Sequence, residues 1–155
     1  MPKILLLILG GGLIWTLSRQ SSAALLPRIV NAVPYYPIFQ QAALKNNIPI
    51  TLLIAVADKE SKFDATAYNT KSSASGIMQV VPKFHPELQN PFDPGQAIPY
   101  AAKYLRKLYD RFGTWKLALA AYNWGEGNLA KYGLAKAPAE TRDYYSTILA
   151  SSRLS

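Results

Sequence analysis

The chain has 155 residues, with 17 Lys and Arg against 9 Asp and Glu, one His and no Cys. That length suits one domain of ordinary size, and 50% hydrophobic residues can build a real core, which excludes wholesale disorder. Zero cysteines exclude disulfides, thiolate metal sites, cysteine nucleophiles and a lipid-modified N-terminal cysteine, and a single histidine excludes a multi-histidine metal centre. No cofactor is called for. A formal net charge of +8 favours an anionic partner: nucleic acid, a lipid headgroup surface or an acidic cell-wall polymer.

Met1-Pro2-Lys3 leads into an apolar run from Ile4 to Leu17, broken only by Gly10-Gly11-Gly12. As a helix the run reaches about 21 Å, short of a hydrocarbon core of roughly 30 Å. It reads as a signal-peptide core or a short membrane anchor rather than a buried helix, whose packing three consecutive glycines would waste. Ser22-Ala23-Ala24 offers small residues to a signal peptidase, yet Arg19 sits awkwardly between them and the apolar run. Cleavage and retention therefore both stay open. Pro27, Pro34 and Pro37 deny a continuous helix and indicate a semi-rigid spacer. The expected organisation is a hydrophobic signal or anchor segment over 1–19, a Pro/Ser/Ala-rich spacer over 20–37, and a single globular domain over 38–155.

Helical spacing dominates after Pro37. A first helix is expected over Ile38 to Asn46, with Ile38, Ala42 or Ala43, and Leu44 on one side. Asn46-Asn47-Ile48-Pro49 breaks it, and Thr51 to Phe63 reads as a second helix whose first half is apolar all round and therefore central. Tyr68 to Ser75 is a polar loop, followed by proline-rich connections as far as Pro99. The third helix, Pro99 to Phe112, carries a stripe of Ile98, Ala101, Leu105, Leu108 and Phe112, with Gly113 as its C-terminal cap. Thr114 can cap a fourth helix over Trp115 to Tyr122, which ends at a glycine-bounded corner. A last helix is expected over Glu140 to Ala150. The domain is mainly α.

Glu60 stands out chemically. On a helix, Leu53, Val56 and Phe63 share its face, so this carboxylate sits at the edge of an apolar surface, where poor solvation raises its pKa and suits it to general-acid work. Asp58 points elsewhere, with Lys62 at i+4 as a surface partner. Gly76-Ile77-Met78-Gln79 sets an adaptable apolar side chain and an amide after a glycine, and Ala121-Tyr122-Asn123 aims an aromatic and an amide at the opening before Gly125.

Taken in order, Glu60-Ser61-x-Phe63-Asp64, Gly76-Ile77-Met78-Gln79, Ala121-Tyr122-Asn123-x-Gly125 and Glu140-Thr141-Arg142-x-Tyr144 resemble the motifs of the lytic transglycosylase family, whose SLT-type domain has a goose-type lysozyme-like fold. The resemblance runs from about Ile38 to Leu149. It implies that Glu60 is the single catalytic acid/base and that peptidoglycan glycan strands are the substrate. It further implies that Ser61, with the loop serines Ser72, Ser73 and Ser75, supports Glu60 or the substrate N-acetyl group, that Met78 and Gln79 line the sugar cleft, that Tyr122 and Asn123 lie across from Glu60, and that Glu140 and Tyr144 brace the site. The loop between Glu60 and Gly76 is one residue longer than the usual spacing, so no single serine is assigned a role. Trp124 stands where a small residue is common, and either stacks on a sugar or packs against the corner.

The reaction implied is non-hydrolytic cleavage of the MurNAc–GlcNAc bond to a 1,6-anhydromuramoyl end, which needs one carboxyl. A hydrolytic goose-type muramidase is the competing reading and would need a second carboxylate, Asp64 or Glu140; a non-catalytic wall-binding scaffold is another. The charges decorate helix faces without an RNA-recognition aromatic pattern, so nucleic acid is not expected as a partner. A retained N-terminal anchor would hold the domain at the membrane, facing the wall, as a locally tethered cutter in wall turnover, a secretion or conjugation apparatus, or a phage particle.

Overall fold

The computed structural model describes residues 33–153. The expected anchor, 1–19, lies outside the described residues, as does most of the spacer. Among the described residues no helix is long and apolar enough to cross a membrane.

The described residues form six α-helices: α1 (Tyr36–Asn46), α2 (Ile50–Ser61), α3 (Pro94–Phe112), α4 (Trp115–Trp124), α5 (Glu126–Tyr132) and α6 (Ala139–Ser152). They pack as a ring in which α1 lies on α3, α3 on α4, α4 on α6, α6 on α2 and α2 again on α1, with α5 held against α4. α2 is the most enclosed, burying Leu52, Leu53, Ala55, Val56, Ala57 and Asp58, as its all-round apolar first half predicts. On α1 the buried side chains are Phe39 and the expected Ala42 and Ala43, whereas Leu44, expected on the same side, is 77% exposed. Asp58 is buried rather than at the surface, although Lys62 does approach it at 3.5 Å.

Helix ends account for the other differences. α2 stops at Ser61, two residues earlier than expected, because Lys62 and Phe63 both turn left-handed. That reversal still buries Phe63, now edge-on to Phe39 at 6.3 Å. α3 begins at Pro94 rather than Pro99, since the Asp93 side chain accepts from the Gly95 N–H and caps it. Pro99 is carried inside the helix at the cost of one backbone hydrogen bond. Gly113 and Thr114 act as the expected caps of α3 and α4, Thr114 accepting from the Leu117 N–H at 3.2 Å.

The long connection from Lys62 to Asp93 is organised by its backbone. Isolated bridges pair Tyr68 with Ser75 and Ser75 with Val80. Gly76 has φ +71°, and a Cβ there would meet the Pro91 carbonyl oxygen at 1.8 Å, so only glycine lets the loop lie this close to the Pro91 strand of chain.

Candidate active site

Glu60 occupies the last turn of α2, half-buried on the side that meets α6. The Tyr144 hydroxyl, from α6, donates to its Oε1 at 2.5 Å. One residue back on each helix, Lys59 Nζ donates to Asp143 Oδ2 at 2.6 Å, so two adjacent links tie α2 to α6. Burial pushes the Glu60 carboxyl from its ordinary 4.5 up to about 7. The Tyr144 hydrogen bond and the Lys59 charge pull the other way, and Glu140 adds a smaller upward push. Tyr144 is itself held far above its ordinary pKa, by burial first and the Glu60 charge second, so it remains a hydrogen-bond donor.

The wall facing Glu60 is a loop whose backbone is gripped from two sides. Ser61 Oγ donates to the Ile77 carbonyl at 2.9 Å, and the Tyr122 hydroxyl, from α4, donates to the Met78 carbonyl at 3.0 Å. Gln79 takes a left-handed conformation, φ 47°, and its amide donates back to Gly76 and Ala67 carbonyls at 3.0 and 3.3 Å. Asn123 Oδ1 accepts from the buried Thr141 hydroxyl at 2.7 Å, which joins the glycine corner to α6.

Two cavities meet at Gln79. One, about 480 Å³, opens beside Glu60 and is walled by the chain from Ala67 to Lys71. The other, about 1170 Å³, runs past Tyr122, Asn123 and Trp124 to side chains of α3 and α5. Of the residues expected to contact substrate, Glu60, Gln79, Tyr122 and Asn123 line these cavities, and Trp124 joins them.

Others stand differently. Met78 is fully buried in the core, so only its carbonyl takes part in the wall. The Ser61 and Ser75 hydroxyls are spent on backbone carbonyls, Ser75 donating to Ser73 at 3.0 Å. Ser72 accepts from the Ala74 N–H, and exposed Ser73, at φ 62°, is a turn residue. The serines hold the loop, and Tyr68 to Lys71 face the cavity instead. Glu140 is exposed and acts on Glu60 through its charge, whereas Tyr144 touches it. Asp64 accepts from the Thr66 N–H and hydroxyl at 2.8 and 2.7 Å, bonds that keep its carboxyl below the usual range.

A carboxyl raised in the folded state binds its proton there at pH values where the unfolded chain has released it. Stability is therefore lost as pH rises between about 4.5 and 7. Replacing Glu60 with Gln removes that penalty. Chemical denaturation at pH 8 is expected to find Glu60→Gln more stable than wild type, by no more than about 3 kcal/mol. The difference should shrink towards zero at pH 4; a variant equally stable or weaker at pH 8 would contradict the burial of this charge.

The transglycosylase SLT domain model matches residues 37–145. Over 127 residues the chain is 31% identical to Protein IpgF of Shigella flexneri, covering 74% of this chain and 83% of that one. It is 32% identical over 116 residues to membrane-bound lytic murein transglycosylase F 2 of Alkalilimnicola ehrlichii, covering 68% and 26%. The 70 kDa soluble lytic transglycosylase Slt70 of Escherichia coli superposes with a TM-score of 0.67 at 25% identity, and the lytic transglycosylase Slt of Pseudomonas aeruginosa with 0.68 at 22%. Each match covers 76% of this chain and 23% of the solved one, so this chain spans about a quarter of their length. With the model match running from the spacer's end into α6, and the ring of helices shared with the solved structures, the chain belongs to the SLT transglycosylase family.

Proposed function

We propose that the chain is a peptidoglycan lytic transglycosylase, cleaving the β-1,4 bond between N-acetylmuramic acid and N-acetylglucosamine without water. The observation that carries this is one carboxyl, Glu60, raised to about 7 beside a cavity and braced by Tyr144. A group near neutrality can both give and take a proton at the working pH. Glycosidases that use two carboxyls hold them roughly 5–9.5 Å apart as an acid and a nucleophile or base. Here the substrate supplies the nucleophile. Glu60 gives its proton to the leaving glycosidic oxygen while the acetamido oxygen of the muramic acid bonds to the anomeric carbon. The Glu60 carboxylate then removes the proton of the C6 hydroxyl, whose oxygen displaces the acetamido oxygen and closes the 1,6-anhydro ring.

The hydrolytic reading rests on Asp64 or Glu140 activating water. Thr66 donates twice to Asp64 Oδ1, so on Asp64 the other carboxylate oxygen would take this role, and Glu140 is the second candidate. Mass spectrometry of digested sacculi decides between the two: anhydromuramoyl ends are expected, and reducing ends would establish hydrolysis. Glu60→Gln is expected to lose about 10²–10⁴ in rate, which a non-catalytic wall-binding scaffold would not show.

The same reading keeps residues 1–19 as a retained anchor with the catalytic domain facing the wall. A relative is itself described as membrane-bound. Protein recovered from the membrane fraction should begin at its original N-terminus, and a mature chain beginning near Ala24 would contradict the anchor.

A further inference from the structure

Glu60 works beside a cation. Lys59 precedes it in α2, and the Lys59 ammonium sits on the same α2–α6 contact that holds the carboxyl. A lysine carries its charge on a flexible four-carbon stem, so one free to swing there could pair with Glu60. Such a pair would stabilise the carboxylate against the protonated acid. A general acid held that way has given up its proton before the reaction begins. The structure avoids this arrangement. Lys59 Nζ is engaged by Asp143 Oδ2 at 2.6 Å, and among the described residues no Lys59–Glu60 pair lies within 4.0 Å.

Asp143 stands immediately before Tyr144 on α6, so the stretch of helix that brings the Tyr144 hydroxyl to Glu60 also brings a carboxylate to Lys59. The Lys59 hydrogen bond first, and the Lys59 charge second, hold the Asp143 carboxyl below its usual range, so it stays ionised wherever Glu60 titrates. The other groups facing Glu60 are of different kinds. From α6 come Tyr144 and the exposed Glu140, and from α4 comes Tyr122, kept a neutral phenol by burial. The facing loop adds Tyr68 and Lys71 to the cavity. Lys59 is the cation whose charge bears on the Glu60 carboxyl, and Asp143 is the group that holds it.

We propose that Asp143 is a positioning residue for the reaction that acts through Lys59, holding the ammonium on the α6 side of the contact and so leaving Glu60 free to carry its proton. The assignment rests on the acid/base reading of Glu60 above and deepens it. Breaking the ion pair from its two ends then has opposite consequences. Loss of Asp143 releases a cation beside the acid, whereas loss of Lys59 removes that cation altogether.

The test is the pH profile of full-length Asp143→Asn, Lys59→Gln and the combined variant on soluble peptidoglycan strands, with NMR titration of carboxyl-labelled Glu60 in each. Activity falls on the alkaline side as Glu60 loses its proton, so the position of that limb reports the carboxyl. Asp143→Asn is expected to move the limb and the Glu60 midpoint down by about one pH unit, and Lys59→Gln to move both up by about half a pH unit. In the Lys59→Gln background, Asp143→Asn should have less than half of its effect alone, because the group it restrained is gone. Asp143→Glu should keep the wild-type limb. A pair that only pins the helices would move both single variants in the same direction, and an Asp143 acting by its own charge would lower the midpoint equally with or without Lys59. Either result overturns the proposal, as does a midpoint that neither variant moves. A wild-type chain that forms no anhydro-ended products would instead sink the transglycosylase reading, while the NMR midpoints still decide the role of Asp143.

Discussion

The structure turns on a half-buried carboxyl held between α2 and α6. A charged carboxylate in that place is costly, so the proton stays on Glu60 into the neutral range. The rest of the α2–α6 contact serves this arrangement. Tyr144 satisfies one oxygen, and the Lys59–Asp143 pair beside it holds the helices in register at the water's edge. As an exposed ion pair it adds little stability of its own, about 1 kcal/mol at most. Its value lies in position, because a shift of α6 along α2 would take the Tyr144 hydroxyl away from the carboxyl.

Around that contact the fold spends polar groups on rigidity. The carbonyls of Ile77 and Met78 are taken by Ser61 and Tyr122, from α2 and α4 respectively, and Gly76 is pressed against Pro91. Asn123 is fixed through Thr141. A reacting sugar would therefore meet a wall that is already set, which is how an enzyme avoids reorganising its dipoles during reaction. Openness is left at two places, the cavities either side of Gln79, and their linings differ in character: short polar loop residues beside Glu60, aromatic and basic side chains towards α3 and α5.

Much of this was legible in the residues. The apolar periodicity of α2 marked it as central and put Glu60 on an apolar edge, and glycine and threonine punctuation placed the junction of α3 with α4. Legibility failed where a local cap or a backbone sign decided the outcome. Asp93 started α3 a turn and a half before Pro99, because its side-chain cap outweighs the bond that the proline removes. α5 was missed altogether: it is only seven residues long and buries Leu129 alone, so it has no apolar stripe to detect. Among the site residues, the serines and Met78 were expected at the cleft by resemblance, yet hydroxyls in a tight loop find carbonyls first, and a large apolar side chain after a glycine finds the core. The hydrogen bonds that join His85 and Glu87 of the long connection to the Tyr100 hydroxyl on α3 had no signal in the sequence at all, since they depend on side-chain direction. Thr141 sat within a quoted motif without a role, and its partner Asn123 supplies one.

The most direct check of the central claim is the titration of Glu60 itself. Carbon NMR of the full chain with carboxyl-labelled glutamate, the Glu60 resonance identified by its loss in Glu60→Gln, follows that one group through the pH range. A midpoint near 7 is predicted from its burial against α6. A midpoint near 4.5, the value of a solvated glutamate, would mean that the carboxyl is already ionised at neutral pH and has no proton to give.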